Sequence, residues 1–216
     1  MDDPKEIIKK LDKNDIKLIY KLFVFITNGN KDKKYTDINP IIGKSSVMED
    51  GVYISKHSLG AAMVNNDRRI VYGISSNSPF GYDIHGEGAV ISQAHIVNPD
   101  ANMWKTIVCL VPPKIKDTIQ VIVKSSCGAC RELLRYQYPN IYVIVPDPTN
   151  DIAIRKPKDI PTIDITSDYK TFSDYIKTLG LVKIKAKYLL PYPYINSDIL
   201  EASRWDKNIN IKLKKK

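Results

Sequence analysis

The chain has little of what makes cross-links or metal cages. Among its 216 residues there are three cysteines and three histidines. Three cysteines exclude a disulfide framework, and they exclude a zinc site with four cysteine ligands inside one chain. Long apolar runs are also missing. No stretch approaches the roughly 18 apolar residues of a membrane span, so no membrane partner is expected. The first residues, Met1-Asp2-Asp3-Pro4-Lys5-Glu6, lack the basic-then-apolar pattern of a secretory signal, and a reducing cytoplasm is the expected compartment. There are no internal repeats. The length suits one domain, or one domain with extensions, able to bury a real core.

Acidic side chains are outnumbered, 24 against 33 Lys and Arg, which leaves a formal net charge of +9. Such an excess invites a nucleic-acid partner. Against that, Lys greatly outnumbers Arg, and the chain is rich in Ile, Asn and Tyr, as AT-rich coding tends to produce. The lysines are spread along the chain apart from the tail Lys212-Leu213-Lys214-Lys215-Lys216, and a tail of that kind is usually solvated. The charge therefore carries little functional weight.

What the chain does have is two short motifs about forty residues apart. The first is Ile84-His85-Gly86-Glu87-Gly88-Ala89 and the second is Ser126-Cys127-Gly128-Ala129-Cys130-Arg131-Glu132. His85, Cys127 and Cys130 make three soft or borderline ligands, the number a catalytic zinc takes from protein while its fourth position stays open. Each motif opens an apolar run that reads as a helix. The ligands would thus lie in first turns, where unpaired backbone N–H groups and the helix dipole favour thiolates. Two thiolates and a neutral His leave a Zn²⁺ site neutral. The alternatives for Cys127 and Cys130 are a redox dithiol or half of a structural site. For His85 the alternative is a surface or satisfied core histidine. Cys109, in Thr106-Ile107-Val108-Cys109-Leu110-Val111, reads as plain core.

In this order and spacing the motifs match the zinc-deaminase signature, with Glu87 as acid/base rather than ligand, and the chain resembles the cytidine deaminase family. The resemblance runs from about Gly51 to Tyr194. It implies a three-layer α/β/α sandwich, a mixed sheet with helices on both faces. It implies hydrolytic deamination of a cytidine-like nucleoside, or of an aminopyrimidine analogue, with Zn²⁺ as cofactor and a homo-oligomeric assembly. The competing functions are deamination of bases in single-stranded DNA or RNA, using Tyr136, Tyr138 and Trp104, and a non-enzymatic binding protein stabilised by metal. Carried over by position, Glu87 is catalytic, and the backbone N–H groups of Gly86 and Cys127 hold the base carbonyl and the tetrahedral oxygen. Ser75 and Asn77 stand where the sugar is held, without the carboxylate usual there. His57 stands where an aromatic packs on the base, and a surface His reads equally well. Ser126 replaces the usual proline before the first Cys and would cap the helix. Tyr194, after Leu189-Leu190-Pro191, matches the aromatic that closes a neighbouring subunit's site, or else it packs with Tyr192 on the chain's own core.

The remaining elements follow from periodicity. Asp3-Pro4-Lys5-Glu6 looks like a helix start, and the apolar residues from Ile7 to Phe23 predict one bent helix or two short ones ending at Asn28-Gly29. Strands are expected at 58–64 and 69–75 about an Asn65-Asn66-Asp67-Arg68 turn. Others are expected at 118–123, 141–145 and 182–186, with a helix over 169–179 closed by Gly180. Loops are expected at 31–43 and 146–161. The expected organisation is an N-terminal helical extension (1–45) packed on a catalytic domain (46–195), followed by a basic tail (196–216).

Overall fold

The computed structural model describes residues 7–27, 48–49, 52–53, 59–75, 84–111, 114–115, 118–147, 160–164 and 166–189. In chain order the strands are β1 Ile8–Lys10, β2 Met48–Glu49, β3 Val52–Tyr53, β4 Gly60–Asn65, β5 Ile70–Ile74, β6 Trp104–Val111, β7 Lys114–Ile115, β8 Thr118–Gln120, β9 Ile122–Val123, β10 Tyr142–Pro146, β11 Thr162–Asp164 and β12 Leu181–Lys185. The helices are α1 Lys13–Thr27, α2 Gly86–Val97, α3 Gly128–Gln137 and α4 Tyr169–Lys177. The main sheet runs in the order β1-β12-β10-β6-β4-β5. Only β6 and β10 pair in parallel; the other neighbours are antiparallel, so the sheet is mixed.

Alternation along β6 shows how the layers form. Val108 and Leu110 face the cluster made with Leu18, Leu22, Phe23, Phe172 and Ile176 of α1 and α4. Ile107 and Cys109 face the opposite cluster, with Val90 and Ile91 of α2 and Leu134 of α3. Helices thus cover both faces, as the α/β/α expectation requires. Small residues in β4 and β5 let them close in. A Cβ on Gly73 would lie 2.3 Å from the Val90 backbone nitrogen and 2.6 Å from the Gly86 carbonyl oxygen. Only a glycine there lets α2 seat directly on β5.

The Asn65 turn forms as expected: Asn65 accepts from Arg68 N–H through its carbonyl and from Arg69 N–H through its side chain. Gly180 adopts φ 60° after α4, the left-handed conformation that suits glycine after a helix. Two expectations need correcting. Where one bent helix or two short ones were expected, a strand is followed by one helix. Ile8, Lys9 and Lys10 pair antiparallel with Ile184, Lys183 and Val182, extending the sheet by an edge strand. The helix begins only at Lys13, with its own capping box: Asp12 Oδ1 accepts from the N–H groups of Asn14 and Asp15, and Asp15 Oδ2 accepts from Asp12 N–H.

The expected strand over 118–123 is split. β8 pairs with β7 and β11 in a small separate sheet, while β9 pairs with the end of β6. Between them Val121 is buried and its N–H donates to the Tyr175 hydroxyl. The early capping box at Asp3, both expected loops for the most part and the basic tail lie outside the described residues.

Candidate metal centre

Both helices that carry the motifs begin on a ligand residue. His85 is the N-cap of α2, with φ −74° and ψ 150°, and Cys127 is the N-cap of α3, with φ −64° and ψ 171°. Neither side chain makes a capping hydrogen bond. Cys130 sits three residues into α3 from that cap. The N-cap and the third residue after it are the pair that an ordinary capping box brings together, and here sulfur stands at both. Side chains that would otherwise satisfy the helix end are turned toward each other.

Three ligand atoms converge. His85 Nδ1 lies 3.2 Å from Cys127 Sγ and 3.3 Å from Cys130 Sγ, and all three atoms are within 4.8 Å of one another. Bond lengths of about 2.0 Å to nitrogen and 2.3 Å to sulfur put such ligands roughly 3.5 Å apart on a tetrahedral zinc. The donor set therefore fits a metal that takes three protein ligands. Ligation through Nδ1 requires the tautomer with its proton on Nε2. His85 and Cys127 are exposed, while Cys130 is buried, so the group has one open side.

Behind that open side the surroundings are dry and acidic. Glu87, in the first turn of α2, is 3 % exposed. Burial, then the charge of Glu87 and then Cys127, push the Cys130 thiol far above its ordinary range. Burial, then Glu87 and then Cys130, push the Cys109 thiol up in the same way. A cation bound among these groups reverses that logic, since a coordinating thiol gives up its proton to the metal.

The other predicted site residues divide. Gly86 is the first residue of α2, where a backbone N–H has no acceptor within the helix. A Cβ there would lie 2.8 Å from both the Leu59 carbonyl oxygen and the Leu59 side chain, so glycine is what the packing allows. Ser75 is engaged locally: its hydroxyl accepts from Leu59 N–H at 2.7 Å, and its own N–H donates to the Leu59 carbonyl at 2.8 Å. Ser126 does not cap α3, because Cys127 occupies that position. Its Oγ is instead buried with no hydrogen-bond partner. His57, Asn77 and Tyr194 lie outside the described residues.

Two features were not legible in the motifs. Cys109 is buried core, as expected, and it faces the side of the sheet that α2 and α3 cover; the available signal for that side was its alternation along β6. Arg131 and Arg135, one helical turn apart, donate through Nη1 to the carbonyl oxygens of Leu189 and Lys187. They pin the stretch after β12 to the helix that carries both cysteines.

No family model matches the sequence, and no curated protein matches it either. Among solved structures the outcome differs. The chain is similar to cytidine deaminases. The enzyme from Burkholderia pseudomallei is 18 % identical over 50 % of this chain and 75 % of its own, with a TM-score of 0.33. A variant of the Mycobacterium tuberculosis enzyme is 17 % identical over 65 % of this chain and 79 % of its own, with a TM-score of 0.37. The Bacillus anthracis enzyme is 19 % identical over 56 % and 82 %, with a TM-score of 0.33. Likeness at these scores carries no functional weight; the geometry of the centre does.

Proposed function

We propose that the chain is a zinc-dependent hydrolytic deaminase acting on a cytidine-like nucleoside or an aminopyrimidine analogue. The observation that carries this reading is the convergence of His85 Nδ1 on the two thiols with a buried carboxylate, Glu87, against them. A merely structural zinc needs no such carboxylate, and a buried one is costly to keep without a use. His85, Cys127 and Cys130 would hold the ion. A zinc bound there supplies the Lewis acidity that makes water nucleophilic near neutral pH.

The chain's own residues account for the rest. Glu87 accepts the proton of the attacking water and delivers it to the ring nitrogen beside the exocyclic amine. It then takes the second proton, from the hydroxyl now on the ring carbon, and gives it to the departing amine, so that the carbonyl forms as ammonia leaves; a carboxylate shuttling protons over such short distances suits general acid/base work. The N–H groups of Gly86 and Cys127, at two helix starts, are proposed to hold the base carbonyl and the developing oxyanion. Ser126, with a buried unpaired hydroxyl, offers a further polar group to the substrate. Ser75, Asn77 and His57 are proposed as sugar and base contacts, and Tyr194 as the aromatic lid of a neighbouring subunit in a homo-oligomer.

The polynucleotide reading loses two of its three aromatics, since Trp104 and Tyr138 are buried in the core at 3 % and 1 % exposure and cannot stack on a base. No described helix is long and apolar enough to cross a membrane. The test is zinc analysis of the purified protein together with ammonia release from cytidine, deoxycytidine and a cytosine-rich single strand. One zinc per chain and turnover of a nucleoside are expected. Zinc retained in a Cys127/Cys130 double variant, or turnover of the strand alone, would overturn this reading.

A further inference from the structure

The lysines are scattered in the sequence, but folding gathers three of them. α1 turns its apolar residues Leu18, Leu22, Phe23 and Ile26 into the core. The residues it leaves exposed are Lys13, Asn14, Lys17, Lys21 and Phe25. Residues four apart lie on one face of a helix, so the three lysines form a single stripe. Each step along it rises about 6 Å, comparable to the step between phosphates on an extended strand. The acidic residue of α1, Asp15, is buried against Lys183. The carboxylates that precede α1 and α4, Asp12 and Asp168, are engaged as helix caps, and Asp174 of α4 pairs with Lys177. Among the described residues, none of the three lysines makes an ion pair.

An exposed aromatic ring stands at each end of the stripe. Tyr169, 39 % exposed, donates from its hydroxyl to the Lys13 carbonyl and sets its ring edge-on to Tyr20 at 5.4 Å. Phe25, 40 % exposed, stacks on Tyr72 at 4.4 Å.

We infer that this face of α1 binds single-stranded nucleic acid, with Lys13, Lys17 and Lys21 along the phosphates and Tyr169 and Phe25 against bases. A positive track with rings to stack on holds a single strand without regard to its sequence. An anionic membrane fits less well. A helix that docks on lipid buries an apolar face there, and that of α1 is already in the core. The metal centre with α2 and α3 lies on the opposite face of the sheet. The strand is therefore an anchor for the protein, not the molecule deaminated, and the inference stands apart from the deaminase reading.

The test is anisotropy of labelled oligothymidylate titrated with the purified full chain over a range of salt. Lys13→Gln, Lys17→Gln and Lys21→Gln combined should reduce the slope of log K against log salt by about 2, the share of three phosphate contacts on a single strand. An unchanged slope, with the salt dependence moved instead by Lys212→Gln, Lys214→Gln, Lys215→Gln and Lys216→Gln in the tail, overturns the inference. Phe25→Leu with Tyr169→Leu should weaken binding of the oligonucleotide at least about fivefold and leave binding of inorganic polyphosphate, which has no bases, unchanged. Should the pair not fold, Tyr169→Leu alone should act in the same direction. Equal losses for both polymers would mean that the rings only support the fold, and no loss for either would leave a general polyanion surface; each refutes the role of the bases. Lysine-dependent binding to phosphatidylserine vesicles without binding to the oligonucleotide would give this face to a membrane and overturn the inference.

Discussion

Gly73 and Glu87 are single residues on which the centre depends in different ways. A side chain at 73 would run into backbone atoms of α2, which cannot swing aside as a flexible side chain can. Gly73→Ala should therefore cost at least about 1–3 kcal/mol of stability and loosen the start of α2. Denaturant midpoints and zinc content, measured on the same preparations, should both fall. Glu87→Gln makes the opposite separation. It should keep zinc and fold but lower kcat by about 10²–10⁴-fold with little change in KM. Near-normal turnover in that variant would place the acid/base elsewhere.

At the scale of elements, the start of α1 is held by an ionic group under the sheet edge. Lys183 alternates to the α1 face of β12, where its Nζ lies 2.6 Å from Asp15 and 2.8 Å from Asp12. For Asp15 burial outweighs its partners and raises the pKa. Asp12 keeps a lowered one, since its bonds to Lys183 and to backbone N–H groups outweigh its partial burial. For Lys183 the two carboxylates outweigh burial and raise it. The stability due to Asp12 is present above its ordinary value of 3.8 and is lost as pH falls through its folded value. That due to Lys183 is present below 10.5 and is lost as pH rises through its folded value. Asp15 carries the reverse sign from Asp12: its buried charge weakens the fold at neutral pH, and the penalty fades as it takes up a proton in acid. Lys183→Met strands the Asp15 carboxylate and should cost about 3–5 kcal/mol at pH 7, with a clearly smaller loss near pH 4. Denaturation midpoints at the two pH values check this, and an equal loss at both would show that Lys183 acts by packing alone. Asp12→Ala removes the cap and should cost about 1 kcal/mol.

Across the whole molecule, the three ligands join α2 to α3 on one face of the sheet, while α1 and α4 pack on the other. Metal removal should therefore act unevenly. A chelator should lower the melting temperature, and it should raise amide exchange at the starts of α2 and α3 well before it does so in α1. Uniform loss of protection would mean that the metal holds the entire fold. The arrangement of subunits is tested by size in solution together with Tyr194→Ala. An oligomer whose variant shows raised KM is expected, given the roughly 1–3 kcal/mol that a stacked aromatic contributes. A monomer with unchanged KM would rule out the shared lid.

The grouping of His85, Cys127 and Cys130 was legible in the sequence because each motif is local. Cys127 and Cys130 take the cap and third positions of one helix by spacing alone, and His85 with Glu87 occupies the first turn of another. The Asn65 turn and Gly180 were legible for the same reason, since each depends on a few consecutive residues. Ile8–Lys10 was not, because a short apolar run suits a helix or a strand equally, and what decided it was an unpaired edge of β12 some 170 residues away. The same holds for the break at Val121, which is set by Tyr175 in a helix more than fifty residues on. Cys109 belongs to this second group: in sequence it is one apolar residue among six. Only the packing of α2 and α3 against the sheet shows which side of β6 it faces, because burial is a property of the assembled chain and not of its local pattern.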